Sequence, residues 1–250
     1  MHSILTLYSH FLNNPSLQFP PKREIKRMSL HLTHDLAEAH KSLLRLSGVV
    51  EKMIDRAVQS LVARQANIAM MVIGQDEEID RIEVKIEEDC LKMLALHQPV
   101  AADLRRITTM MKINNDLERM ADLACNIAQR AISVYEYPDF QLQSGLQTMA
   151  LMAIDMVRRS LDAFVRQDVN LALEVIRSDD AVDSKNVEVI AVLNDQMQRD
   201  ILQISPAMHC FSASRHLEQI ADHAVSIAED TIYMIKGEIV RHRQHLPVSL

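Results

Sequence analysis

Apolar residues recur three and four apart over most of this chain. Leu36, Ala39, Leu43, Leu46, Val50, Met53 and Ala57 keep that spacing, which lines one face of a helix and makes a bundle seam. The pattern predicts a first helix over about residues 34–73. A second begins at Asp76, after Gly74, with Ile79, Ile82, Ile86 and Met93 inward and an acidic stripe of Asp76, Asp80, Glu83 and Glu87 beside them. Pro99 marks the entry to a third helix reaching about Tyr135, because proline is tolerated at a helix start and not in its interior. Its inward positions are Leu104, Ile107, Met111, Leu117, Ala121, Ala124 and Ala128. Tyr137-Pro138-Asp139 reads as a linker. A fourth helix starts near Gln141, with Met149, Ala153, Met156, Ser160 and Phe164 inward. Residues 169–205 then match the end of the first helix plus the second, and a last helix ends near Gly237. The prediction is an all-α fold of two pseudo-symmetric three-helix bundles, antiparallel because the connections are short.

The chain repeats itself. Leu117-Glu118-Arg119-Met120-Ala121-Asp122 matches Leu217-Glu218-Gln219-Ile220-Ala221-Asp222 at an offset of 100, and the match continues through Ala124/Ala224, Ile127/Ile227, Ala128/Ala228 and Ile132/Ile232. Asn67/Asn170, Ala69/Ala172, Val72/Val175, Ile73/Ile176 and Val84/Val187 repeat at an offset of 103. The prolines do not superpose: Pro99 lies 19 residues before Glu118, whereas Pro206 lies 12 before Glu218. The second copy therefore enters its third helix differently. The domains expected are 29–137 and 140–240, preceded by a flexible extension over 1–28 that holds Pro15, Pro20 and Pro21; Met28 is a candidate initiator.

Composition narrows the function. Four glycines in 250 residues, no tryptophan and fifteen methionines favour helix throughout, and they leave no glycine-rich phosphate loop or dinucleotide fingerprint. A net charge of −7 argues against nonspecific nucleic-acid binding. No apolar run approaches the roughly 18–20 residues that span a bilayer. Cys90, Cys125 and Cys210 are isolated and odd in number, which reads as buried free thiols in a reducing cytoplasm.

The candidate chemistry lies in the acidic pairs. Asp76/Asp80, Glu118/Asp122, Asp179/Asp183 and Glu218/Asp222 are each four apart, so each pair stacks on one helix face. Chance alone supplies about four or five such pairs in a chain this acidic, and Glu51/Asp55 and Glu83/Glu87 bring the total to six. The information is in their placement, because the four fall at repeat-related positions. Two adjacent helices would gather four carboxylates, an arrangement that favours bound cations. Oxygen ligands alone suggest Mg, Mn or Ca. His216 and His223 flank the last pair, but the first copy has Asp116 and Leu123 there, which favours surface or interfacial histidines over ligands. No Glu has a His three residues later, which counts against a ferritin-like di-iron centre. A carboxylate-bridged metal store or di-metal oxidase stands as the alternative function.

Gln98-Pro99-Val100-Ala101-Ala102-Asp103-Leu104-Arg105, followed by Asn115-Asp116-Leu117-Glu118-Arg119-Met120-Ala121-Asp122-Leu123-Ala124-Cys125-Asn126-Ile127-Ala128, resembles the PhoU family over about residues 29–240. These are bacterial accessory and regulatory proteins of phosphate-specific transport. The family pattern reads Leu-Glu-Arg-Ile-Gly-Asp in both third helices; here Ala121 and Ala221 replace the glycine and Gln219 replaces the second arginine. The resemblance implies a cytoplasmic, non-enzymatic, often dimeric protein. It also implies iron or zinc clusters at Asp76, Asp80, Glu118 and Asp122, and at Asp179, Asp183, Glu218 and Asp222. The implied partners are the phosphate ABC transporter and the phosphate-sensing histidine kinase, with the membrane met only through them. The implied role is to limit phosphate uptake and silence the starvation regulon.

Overall fold

The computed structural model describes residues 22–142 and 144–240, with side chains from residue 30 onward. Among the described residues the chain forms seven α-helices and no strand. They are α1 (Lys22–Val62), α2 (Ala66–Ile73), α3 (Asp76–His97), α4 (Ala101–Tyr135), α5 (Ser144–Arg166), α6 (Val169–Arg199) and α7 (Ile204–Lys236), with a 3-10 turn at Ile201–Gln203. The first bundle is α1, α2–α3 and α4; the second is α5, α6 and α7. None of these helices is long and apolar enough to cross a membrane.

Several expected boundaries are corrected. The first helix stops at Val62 rather than residue 73, because Arg64 takes a left-handed φ of 53° and turns the chain into α2. Gln167, the equivalent position in the second copy, has the same φ of 53°. A non-glycine residue there is unfavourable by about 1 kcal/mol, and at Arg64 hydrogen bonds offset it. Its guanidinium donates to the carbonyls of Tyr137 (3.1 Å), Pro138 (2.8 Å) and Phe140. Tyr137 Oη lies 2.8 Å from Ser205 Oγ on α7, so both bundles grip the inter-repeat linker. At the other end α1 begins at Lys22, ahead of residue 34, so residues 22–28 of the expected extension are helical; residues 1–21 lie outside the described residues. α5 starts at Ser144, not Gln141, and residues 169–205 resolve into α6 and the 3-10 turn.

The copies differ at their second helix. Gly74 and Gln75 break α2 from α3, and Asp76, Glu77 and Glu78 open α3, where the helix dipole favours negative charge. α6 runs unbroken from its cap Asp168, whose carboxylate accepts from the Asn170 and Leu171 amides. α4 and α7 form the central spine and run antiparallel. Thr109 Oγ1 meets the Asp230 carbonyl at 3.5 Å and Arg105 Nε reaches the Met234 carbonyl at 3.4 Å, which places the crossing near Met120 and Ile220. Ile107, Ile113, Leu117, Met120, Ile220 and Ile227 are fully buried along this spine, each such side chain contributing about 1.5–3 kcal/mol. Leu104 is a further correction: it is exposed, because it sits at the open corner where α3 turns into α4.

Candidate functional site

The four acidic pairs meet two by two. α3 and α4 bring Asp76 and Asp80 beside Glu118 and Asp122, and α6 and α7 bring Asp179 and Asp183 beside Glu218 and Asp222. Burial, then Asp122, with smaller contributions from Asp80 and Glu83, raises the pKa of Glu118. Asp122 is raised by burial and then by Asp76 and Asp80. In the second cluster burial, then Asp183 and Asp222, with Asp180 and Glu218 behind them, pushes Asp179 up to about 6. Asp222 rises by burial, Glu218 and Asp183. Like charges held near each other in a half-buried setting disfavour ionisation.

Guanidinium groups occupy part of each cluster. Arg119 Nε is 3.4 Å from Glu118 Oε2, and its Nη1 is 3.5 Å from Asp122 Oδ2. In the second copy Gln219 stands where Arg119 would repeat, and Arg215, three residues before Glu218, pairs with that carboxylate instead. The charge is retained from one turn earlier, a substitution visible in the i,i+3 spacing. Glu218 Oε2 lies against this guanidinium yet has no hydrogen bond of normal geometry.

One further group was not legible as a site residue. Cys125 Sγ donates to Asp76 Oδ1 at 3.4 Å; burial and then Asp76 push this thiol up to about 12. All three cysteines are free and buried, as expected. His223 is interfacial: its Nδ1 lies 2.9 Å from Asp116 Oδ1, across the α4–α7 seam. His216 lies 3.3 Å from Ser212 Oγ and 3.4 Å from Gln219 Oε1. Neither histidine points to a ligand role. Arg119, Asp122, Leu123 and Asn126 from α4, with Gln219, Asp222, His223 and Ser226 from α7, line a groove of ≈ 420 Å³. One carboxylate from each set, Asp122 and Asp222, faces this groove.

The donor chemistry suits a divalent cation: clustered carboxylates, several half-buried, that oppose one another's ionisation. The side chains themselves stand open. Among the described residues no group of three or more His, Cys, Asp or Glu is placed to hold a metal ion, and arginines pair with Glu118, Asp122 and Glu218.

The sequence profile of the PhoU domain matches residues 43–131 and again 146–231. The chain belongs to the PhoU family. An Aquifex aeolicus protein named phosphate-specific transport system accessory protein PhoU homolog is 40% identical over 217 residues, covering 87% of this chain and 98% of the relative. A Pseudomonas putida PhoU homolog is 37% identical over 218 residues, 86% of this chain and 84% of its own length. Among solved structures, PhoU from Pseudomonas aeruginosa superposes with a TM-score of 0.80 at 35% identity, covering 82% of this chain and 99% of that one. The phosphate transport system regulatory protein PhoU from Streptococcus pneumoniae gives 0.79 at 25% identity, over 84% of this chain and 99% of that one. The two profile matches fall on the two PhoU bundles, and each contains one complete set of paired carboxylates.

Proposed function

We propose that this PhoU-family chain is a negative regulator of phosphate uptake and of the phosphate-starvation regulon. It acts as a helical adaptor, not an enzyme, docking on the cytoplasmic faces of the phosphate ABC transporter and the phosphate-sensing histidine kinase, as a homodimer. The observation that carries this reading is the presence of both acidic sets in a chain that matches phosphate-transport accessory proteins over most of its length. Cations at the two sites neutralise each set and fix the angle of α3 against α4 and of α6 against α7. Asp76, Asp80, Glu118 and Asp122 hold one, and Asp179, Asp183, Glu218 and Asp222 the other. Iron or zinc is the family expectation; Mg, Mn or Ca suits the oxygen donors equally.

The test is an alkaline-phosphatase reporter in phosphate-rich medium with the gene deleted and then restored. Constitutive output on deletion, silenced again by the intact gene, supports the regulatory reading, and an unchanged reporter sinks it. In parallel, Glu118→Gln with Asp122→Asn should lower the metal content of the purified protein by about one site. Unchanged metal content would remove the first cluster from the mechanism, leaving the adaptor role to be judged by the reporter alone.

A further inference from the structure

The groove that Asp122 and Asp222 face continues along the α4–α7 seam. Next to it lies a second hollow, lined by Lys112, Asn115 and Asp116 on α4 and by Ser226 and Asp230 on α7, with Glu87 reaching in from α3. A third, of ≈ 250 Å³, follows between Thr108 and Lys112 on α4 and Glu229, Asp230 and Tyr233 on α7. The first and second share Ser226, and the second and third share Lys112 and Asp230. The three therefore form one furrow along the spine. From Asp222 to Tyr233 it follows eleven helical residues of α7, about 16 Å.

The furrow is acidic. Glu87, Asp116, Asp122, Asp222, Glu229 and Asp230 line it, against the cations Lys112 and Arg119. Some of that charge is met within the protein, by Lys112 at Asp230 and by His223 at Asp116. With histidine neutral, six carboxylates against two cations leave four negative charges.

The chain itself enters this furrow. α7 ends at Gly237, whose φ of 75° turns the backbone out of the helix, and Ile239 and Val240 then form part of the third hollow. Val240 is only 3% exposed, so the segment leaving α7 is already anchored against the seam. The sequence continues as Arg241-His242-Arg243-Gln244-His245, and residues 241–250 contain no Asp or Glu. An extended chain advances about 3.3 Å per residue, so five residues span about 16 Å. Both the length and the charge of this stretch match the furrow that Val240 has entered.

We infer that residues 241–245 lie as a strap along this furrow, with Arg241 and Arg243 over the carboxylates between Asp230 and Asp222. The docked strap covers the face on which Asp122 and Asp222 open, and a partner using that face must displace it. The inference stands apart from the metal sites and from the regulatory reading, because it asks no residue to hold a cation and is tested without one.

The test is hydrogen exchange with mass spectrometry on the chelator-treated full chain at low salt. Amides of residues 241–245 should exchange at least ~10-fold more slowly than in a synthetic peptide of residues 238–250. That protection should fall in about 1 M NaCl, where charges are screened beyond about 3 Å, and in Arg241→Glu with Arg243→Glu. Asn115→Arg, at an exposed position in the furrow, should also weaken it by placing like charge under the strap. Exchange at the peptide rate in the wild type, or protection that neither salt nor either variant reduces, overturns the inference. Disulfide trapping identifies the occupant, since the native cysteines are buried. Asn115→Cys with Gln244→Cys should close within one chain, and faster than Leu151→Cys with Gln244→Cys, which puts the first thiol on α5. A bond formed between chains instead would assign the furrow to the segment of a second copy and overturn the strap.

Discussion

Asp179 offers a direct measure of how much repulsion each carboxylate cluster stores. Its pKa is pushed from 3.8 to about 6 by burial and by Asp183, Asp222, Asp180 and Glu218. An acid whose folded pKa lies above its unfolded value binds more protons when folded, so stability falls as pH rises between the two values. The penalty is absent below the unfolded pKa and complete above the folded one. Felt in full, the shift would cost about 3 kcal/mol. Asp179 is half-exposed, and solvent screening reduces the figure to roughly 1 kcal/mol. Asp179→Asn removes the ionisable group and should raise Tm by about 2–4 °C near neutral pH for a chain of this size. The gain should shrink as pH falls below about 6 and vanish by about pH 3, where the wild-type carboxyl is largely protonated in both states. Thermal unfolding followed by circular dichroism, in chelator and across that pH range, provides the assay. A variant less stable than wild type at neutral pH, or a gain that persists unchanged in acid, would refute the account of this cluster as a site of stored like-charge repulsion.

Two other expectations follow from single groups. Arg64→Ala loses the guanidinium contacts to the carbonyls of Tyr137, Pro138 and Phe140 while keeping an unfavourable backbone. It should lower the urea-unfolding free energy by about 2–3 kcal/mol, and Arg64→Gly by about 1 kcal/mol less because glycine tolerates positive φ; equal stability of wild type and both variants would show that the linker clamp contributes nothing. Burial raises Cys90 to about 11 and Cys125 and Cys210 to about 12, so none should react with a disulfide reagent at about pH 8 until the protein unfolds, and rapid labelling of any one in the native protein would contradict its placement.

Much of this was written in one dimension. The three-and-four spacing of residues such as Leu43, Leu46, Val50 and Met53 specifies a buried helix face, and each of them is buried. Gly74 and Pro99 mark real helix ends, and the offsets of 100 and 103 align two copies of one bundle. The acidic pairs were legible for the same reason: residues four apart on a helix are neighbours whatever surrounds them. What periodicity cannot report is a left-handed turn at an arginine. The stop at Arg64 was missed because its φ is stabilised by carbonyls more than seventy residues away, and Leu104 keeps the bundle spacing yet lies at an open corner.

The sequence by itself determined the helices, their amphipathic faces, the duplication and the acidic pairs, because each depends on neighbours within a turn or two of the chain. The tertiary structure decided which charges meet. Antiparallel packing of α4 on α7 sets His223 against Asp116 and Lys112 against Asp230. It leaves Arg130 Nε buried without a hydrogen bond, and the packing of α3 on α4 sets Cys125 against Asp76. Coulombic and hydrogen-bond energies depend on distance through space, and distance through space exists only once the helices are packed.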